Sequence, residues 1–554
     1  MKKTNSLKHW KRYVIAILCM VLSASYLTYA AVGERPERLS SVTYVSDAWV
    51  INFWNTETDH LEQDLAQIAA DGFNSIILAV PWREFQPCTS PIQYSEYAFN
   101  KLNRIMNAAR DQGLWVVLRV GYTWDQCQGE APQTRYQKLL GDEAMKAAWL
   151  EYVKTLYYTV SPYENFYGGF ITWEDFWNYV EDAPGQFALK QSGINEAKRI
   201  GFQAYLESRY TIEEVNRYFA PDKTFQSFDQ VSIPKKDSPA YKLFFEFYDE
   251  FLNGLLKETQ QVFPNLSMEV RLDIDPVNGL DGELVGAGHH QTFGCGDSTY
   301  TSLMYSVSMG QPFDRLLTAA EAVSMMEQQL NVVKAYNGGK PIYIDQLLYM
   351  DMTPGFEHNA RLLEEERNPF LTSISGILRN YTNGYAVWTY RNYANNGVFN
   401  SQFALGGQGW ESSRVKFVEY NGSNQALIQS NGTLSQDVGS RISSKQLFEN
   451  HVRFTAYSER PAKISVTLGS KTKEVVVDGE KQFDLNFGRF EYDKVRFRAG
   501  ANVYVDNISV YNFVQDGQIY DLDGQELPCA AGIRALNQML KSEPNDKRNA
   551  RKPS

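Results

Sequence analysis

Cysteine is scarce in this chain, with 5 among 554 residues, and histidine is hardly commoner at 6. So few cysteines do not make a disulfide-built scaffold, and no His or Cys cluster has metal-ligand spacing. The adjacent pair His289 and His290 reads as part of a loop rather than a metal site. Positive charge is in deficit as well. The net charge of −11 argues against the basic footprint of a nucleic-acid-binding protein. No serine elbow is present, and no metal or other cofactor is expected. What the chain does have is an ordinary 43% of hydrophobic residues, enough for a large core, and a high 14% of aromatics. Flat rings suit the faces of sugars, and they also fill cores.

The N-terminus reads as a targeting segment. Lys2, Lys3, Lys8, Lys11 and Arg12 precede an apolar run from Tyr13 to about Leu22, which continues less strongly to Ala31. This is the pattern of a signal peptide, with Ala30 and Ala31 near a cleavage point. Its ~19 residues are also just long enough for a membrane anchor. In either case the positive flank leaves the rest outside the cytoplasm, whether periplasmic, secreted or anchored in the inner membrane. Cys19 lacks the small preceding residues of a lipoprotein site. Cys88 and Cys127 each follow a predicted strand, so neighbouring loops can bring them together. Whether they pair or remain two thiols stays open in the sequence.

Short apolar runs then alternate with amphipathic stretches. Strands are predicted at 49–54, 75–80, 115–120, 168–173, 267–273, 300–306, 341–347 and 385–390, and helices at 59–71, 97–112, 143–158, 240–263, 319–336 and 369–381. Such alternation predicts parallel strands with crossover helices, and eight repeats in ~350 residues fit a closed (β/α)8 TIM barrel. An open doubly wound sheet would carry a Gly-rich phosphate loop after its first strand. Here that strand runs into Asn55-Thr56-Glu57. The predicted organisation is a targeting segment at 1–31 and a barrel at 42–395 with an insertion at 177–239. An antiparallel β-sandwich of the jelly-roll kind follows at 396–514, then a tail at 515–554, partly disordered.

In such a barrel functional residues lie at the C-terminal ends of the strands. Those ends carry Trp82, Arg119, Trp173, Glu174, Asp175, Arg271, Tyr305, Asp345, Gln346, Trp388 and Arg391, so carboxylates, arginines and aromatics converge on one rim. Asp273 and Asp275 fit ion pairs that hold that rim together, with a direct role on the substrate as the other reading. Glycoside hydrolysis needs two carboxyl groups facing across the bond, ~5–5.5 Å apart for retention and ~6.5–9.5 Å for inversion. Strands four and seven are placed to supply them.

The stretch Trp82-Arg83-Glu84-Phe85-Gln86-Pro87, with Tyr94 to Leu114 and the strand at 115–120, resembles the second and third units of clan A glycoside hydrolases. Phe202-Gln203-Ala204-Tyr205-Leu206, Tyr210 to Asn216 and the helix at 244–255 resemble family 42 β-galactosidases. The resemblance implies a retaining mechanism on a carbohydrate substrate, with Glu174 as acid/base and a nucleophile at the end of strand seven. Trp173 stands where those enzymes have Asn. Counting from Pro341 puts Gln346 at the nucleophile position, whereas matching the acid-Gln pair puts Asp345 there. An amide cannot attack, and Asp is shorter than Glu by a methylene, so its oxygen sits back by roughly 1 Å, a shift that can cost ~100-fold in rate. The resemblance also implies that Tyr305 contacts the nucleophile and that Trp388 forms the floor under the sugar.

Each residue has a plainer role open to it: Glu174 paired with Arg119 or Arg271, Asp345 capping a loop, Trp388 in the core. Phe399 to Phe403 with Gly409-Trp410, and the strand Val505 to Val510, resemble galactose-binding-like modules. These often bind carbohydrate, and some hold a structural calcium. The expected function is therefore a glycoside hydrolase acting on a bacterial poly- or oligosaccharide. A polysaccharide-binding protein without turnover is the alternative, and a transglycosylase would share the site.

Overall fold

The computed structural model describes residues 34–57, 60–122, 132–172, 174–271, 277–280, 284–285, 296–309, 311–350, 358–439 and 445–542. Eight parallel strands close a barrel: β1 Leu39–Thr43, β2 Ser75–Val80, β3 Trp115–Val120, β4 Phe166–Ile171, β5 Ser267–Arg271, β6 Thr301–Ser306, β7 Ile342–Leu348 and β8 Thr382–Val387. β8 pairs with β1, so the sheet has no free edge. Around it lie α1 Leu61–Ala70, α2 Glu96–Asp111, α3 Glu143–Val160, α4 Glu174–Gln186, α5 Ala240–Gln260 and α6 Ala319–Tyr336. Several boundaries are set by local chemistry. Ser95 accepts the Ala98 amide and caps α2, and Thr318 with Glu321 forms a capping box at α6. Gly113, at φ +71, turns the chain from α2 into β3, a conformation that side chains with a Cβ resist.

The first strand is not the aromatic run at 49–54. Asn52–Trp54 is a turn of 3-10 helix. Val50, Ile51, Phe53 and Trp54 are all buried, and an apolar run buried on every side does not show by periodicity whether it is strand or helix. The true first strand, Leu-Ser-Ser-Val-Thr, has three polar residues among its five, and Ser41, on the inward face with Leu39, meets Ser75 (2.6 Å) and receives Tyr343 (2.8 Å) inside the barrel. The last strand likewise begins and ends three residues earlier than the apolar pattern suggests, and the helix expected at 369–381 is two short helices, Arg367–Ser373 and Ser375–Tyr381. The insertion holds the short helices Lys190–Arg199, Phe202–Glu207 and Ile212–Phe219.

After β8 the chain leaves the barrel along a two-residue stem, Tyr393–Ala394, and later returns beside it through Val514–Gln515. Between them lie β9 Glu411–Tyr420, β10 Ser423–Asp437, β11 Asn450–Leu468, β12 Lys471–Gly488, β13 Lys494–Ala499 and β14 Val503–Tyr511, in one antiparallel sheet. β10 and β11 are long, and each pairs with β14 along one half and β13 along the other. The sheet thus folds over on itself around a single core that includes Ile428, Phe454, Val466 and Phe497.

The segment after Gln515, expected as a tail, folds back onto the barrel as far as Ser542. Its helix α7, Ala530–Lys541, buries Ile533 and Leu536 in the core that joins strands to helices. Asn537 accepts the Tyr385 hydroxyl of β8 (2.6 Å) and donates to the Asp71 carbonyl at the end of α1, while Arg534 pairs with Asp71 (2.7 Å). Between β8 and α1 is where the eighth helix of a (β/α)8 barrel belongs. The β-module is therefore inserted between the eighth strand and the eighth helix. No described helix is long and apolar enough to cross a membrane, and the targeting segment lies outside the described residues.

Candidate functional site

Side chains alternate along each strand, so every second residue enters the barrel. The lower interior is apolar, filled by Leu39, Ile77, Trp115, Phe170, Tyr300 and Tyr343. One layer higher the filling becomes charged. Arg119 of β3 donates to Glu269 of β5 (3.1 Å), to Thr172 just past β4 (2.9 Å) and to Gln346 of β7 (3.1 Å). Thr172 also donates to the second Glu269 oxygen (3.2 Å). Both members of this ion pair are buried, a location where a charge persists only when paired and hydrogen-bonded.

Asp345 enters the same layer through a bulge. Leu303 of β6 pairs with Ile344 and Met304 with Gln346, which leaves Asp345 as an extra residue. Two consecutive side chains thereby meet interior partners. Asp345 is 2% exposed and receives the Ser302 hydroxyl (2.6 Å). Burial first, then the charge of Glu269, hold its carboxyl well above the usual carboxylate range. Ionised, its Oδ1 would face no donor; protonated, it donates to Glu269. Gln346 is partly exposed. Because Arg119 takes its carbonyl oxygen, the amide nitrogen remains to donate.

A proton held by the fold and released on unfolding makes stability fall as pH rises from the unfolded carboxylate pKa toward the raised folded one. Asn reproduces the protonated acid, accepting from Ser302 and donating to Glu269. Asp345→Asn should therefore gain on the wild type in urea melts as pH rises from about 4 to 8. A wild type that instead gains on the variant would show that Asp345 is ionised in the fold.

Above the charged layer stand aromatics. Trp388, following β8, has its ring centre 5.8 Å from the Arg119 guanidinium, and Tyr122, following β3, lies 5.3 Å from it. The partly exposed Trp49 tilts onto Tyr393 at 5.1 Å. Asp516, from the returning segment, accepts both the Trp388 indole N–H (3.3 Å) and the Tyr393 hydroxyl (2.6 Å). Arg271 ends β5 two residues past Glu269, on the same face, and is partly exposed.

The structure thus brings together Arg119, Asp345, Gln346 and Trp388, with Arg271 on the same interior face. Glu174 and Asp175 are the first two residues of α4, three and four positions past β4. Trp173, Asp273, Asp275, His289, His290 and Cys127 lie outside the described residues, and Cys88 is a free thiol. Three expected rim residues stand elsewhere. Trp82 is packed on Trp149 (5.2 Å) beneath α3, with its indole N–H on Gln86. Tyr305 is an odd number of residues from the inward Ser302, so it faces the helix layer, where its hydroxyl is buried without a partner among the described residues and burial raises its pKa. Arg391 pairs with Asp64 of α1 (2.9 Å), fastening strand eight to the first helix.

Glu269, Ser302, Trp49 and Asp516 join the site without having been expected there. Glu269 had a signal: an acid at the middle of the apolar strand Ser-Met-Glu-Val-Arg needs a buried cation opposite. Asp516 had none, because its place depends on the chain returning from the module.

The closed eight-stranded parallel barrel is the architecture of TIM barrels. No protein-family model matches the chain, and no curated protein matches it. Among solved structures it is similar to an exo-β-1,4-mannosidase from Opitutaceae bacterium strain TAV5, at 13% identity over 64% of this chain and 52% of that one, with a TM-score of 0.40. It is similar to a β-galactosidase from Bacillus circulans sp. alkalophilus, at 12% identity over 65% and 51%, TM-score 0.44. A β-galactosidase from the psychrophilic Marinomonas ef1 gives 11% over 64% and 54%, TM-score 0.43. The chain spans about half the length of these three proteins. At such identities the likeness carries nothing beyond the barrel, which the strand order establishes by itself.

Proposed function

We propose that this protein binds a chain of a bacterial poly- or oligosaccharide at the barrel mouth, outside the cytoplasm, and hydrolyses it as a retaining glycosidase. One observation supports the binding reading most directly. Trp388 stands over the Arg119 guanidinium, and Arg119 in turn fixes Gln346 with its amide nitrogen left to donate. A ring beside oriented hydrogen-bond donors offers what a pyranose presents, an apolar face edged with hydroxyls. In this reading Glu174 protonates the leaving oxygen and then activates water, and Asp345 is the facing carboxyl. The inserted β-module gives the same glycan a second surface, and the N-terminal segment directs or attaches the protein to the membrane.

Glu174→Gln tests the chemistry. Loss of a general acid costs ~10²–10⁴-fold in rate, so the variant should stop releasing reducing ends while its affinity for the same glycan is unchanged. Undiminished release would remove Glu174 from the mechanism.

A second reading, a polysaccharide-binding protein without turnover, is favoured by the burial of Asp345, which together with the charge of Glu269 holds its carboxyl above the usual carboxylate range. A neutral carboxyl beneath the site has no charge with which to attack an anomeric carbon. In that case wild type and Glu174→Gln bind the glycan equally and neither releases reducing ends.

A further inference from the structure

We infer that Asp516, which the chain supplies only after completing the β-module, is a positioning residue for the tryptophan of the barrel mouth; the inference rests on the glycan-binding reading above. A single carboxylate oxygen, Oδ2, receives the Trp388 indole N–H and the Tyr393 hydroxyl. Tyr393 in turn carries the ring of Trp49. One atom therefore sets both the plane of Trp388 and the spacing of a second aromatic wall from it.

The backbone places that atom deliberately. The Asp516 carbonyl accepts the Thr389 amide (2.8 Å) and the Thr389 hydroxyl (3.2 Å), so its register is locked to the residue next to Trp388. Asp516 holds φ +66, a left-handed conformation that few non-glycine residues adopt. Gly517 follows, where a Cβ would lie 2.2 Å from the Asn392 nitrogen. The Gly517 amide donates to the Asn392 side chain (2.8 Å), pinning the return.

The choice of a carboxylate also has a consequence. Asp516 is buried, and taking an acid out of water costs more than burying a neutral acceptor. A charged acceptor makes hydrogen bonds roughly twice as strong as a neutral one, which suits a ring that must keep its plane when a ligand presses on it. It also leaves the face of the indole richer in negative charge, the side that attracts the C–H groups of a sugar. The class of ligand such a wall takes is a pyranoside that presents a face of axial hydrogens.

The full-length chain is labelled with 5-fluorotryptophan, and the Trp388 resonance is assigned from its disappearance in Trp388→Phe. Affinity is measured well below the unfolding midpoint against a β-glucan, a galactomannan and a bacterial exopolysaccharide preparation. Asp516→Ala should shift the Trp388 resonance and weaken glycan binding about tenfold or more. Asp516→Asn keeps an acceptor at the same place and should restore most of the affinity. In the Trp388→Phe background, which has no indole N–H, Asp516→Ala should change affinity far less. A purely structural Asp516 would lower the unfolding midpoint yet leave affinity and coupling untouched, and that result overturns the inference, as does an unmoved resonance. Should Asp516→Ala fail to fold, Asp516→Asn against Tyr393→Phe decides in the same way. If the wild type binds no glycan, the reading of the mouth falls. The resonance then judges the positioning alone, a shift supporting it and no shift overturning it.

Discussion

Arg119→Met should cost about 3–5 kcal/mol of stability, the usual penalty for breaking a buried ion pair from one side. The size follows from what is left behind. Glu269 is fully buried, and its two oxygens are served by Arg119 and by Thr172. Without the guanidinium its charge remains in the barrel beside the Asp345 carboxyl. Thr172 and Gln346 lose their donor as well. Adding Glu269→Met to Arg119→Met should recover most of the loss, because a buried pair replaced on both sides by apolar groups is often neutral or stabilising. Urea melts of the three variants measure this. A single-variant loss below about 1 kcal/mol would mean that water reaches Glu269 and the layer is not sealed.

Glycan affinity gives the same pair a second reading. In the double variant the fold is restored while Gln346 stays unoriented, so stability and binding part company. If affinity recovers with stability, Arg119 serves the barrel and not its mouth.

How far the sequence discloses such a site depends on which force places each residue. The barrel was legible because apolar strands and amphipathic helices alternate with two distinct periods, and burial enforces both. Arg119, Gln346, Asp345 and Trp388 were legible because strand ends are addresses in that architecture. Tyr305 and Trp82 sat at the same addresses on the wrong face. For Tyr305 a single residue of register decides between mouth and helix layer. The bulge at Asp345, which gives two adjacent residues interior partners, leaves no mark in composition. Leu39–Thr43 was missed because hydroxyls that bond to one another inside the barrel look, in one dimension, like a polar loop.

Long-range connectivity was the least legible part. Ending the chain at Gln515 should leave a barrel that does not fold in soluble form. That truncation removes α7, whose Ile533 and Leu536 are fully buried against the strands. A buried Leu or Ile cut to Ala costs about 2–5 kcal/mol, and here two are lost with their helix, against a total stability of about 5–15 kcal/mol for a domain. Asp71 would also lose Arg534 and Asn537, and Tyr385 its acceptor. Excising the module should do far less. Tyr393 pairs with Gln515 and Ala394 with Val514, so the two ends of the insertion lie side by side. A short glycine-serine bridge from Asn395 to Phe513 keeps Asp516 and α7 in covalent reach of β8. The contacts given up are a few hydrogen bonds, such as Asn52 to the Val398 carbonyl and the Asn400 amide to Asn55. The module-free chain should unfold in one cooperative transition and retain the near-ultraviolet circular dichroism of its packed aromatics, while the chain ended at Gln515 should not. The reverse outcome, a stable truncation and an unfolded excision, would mean that the folded sheet and not the returning helix closes the barrel.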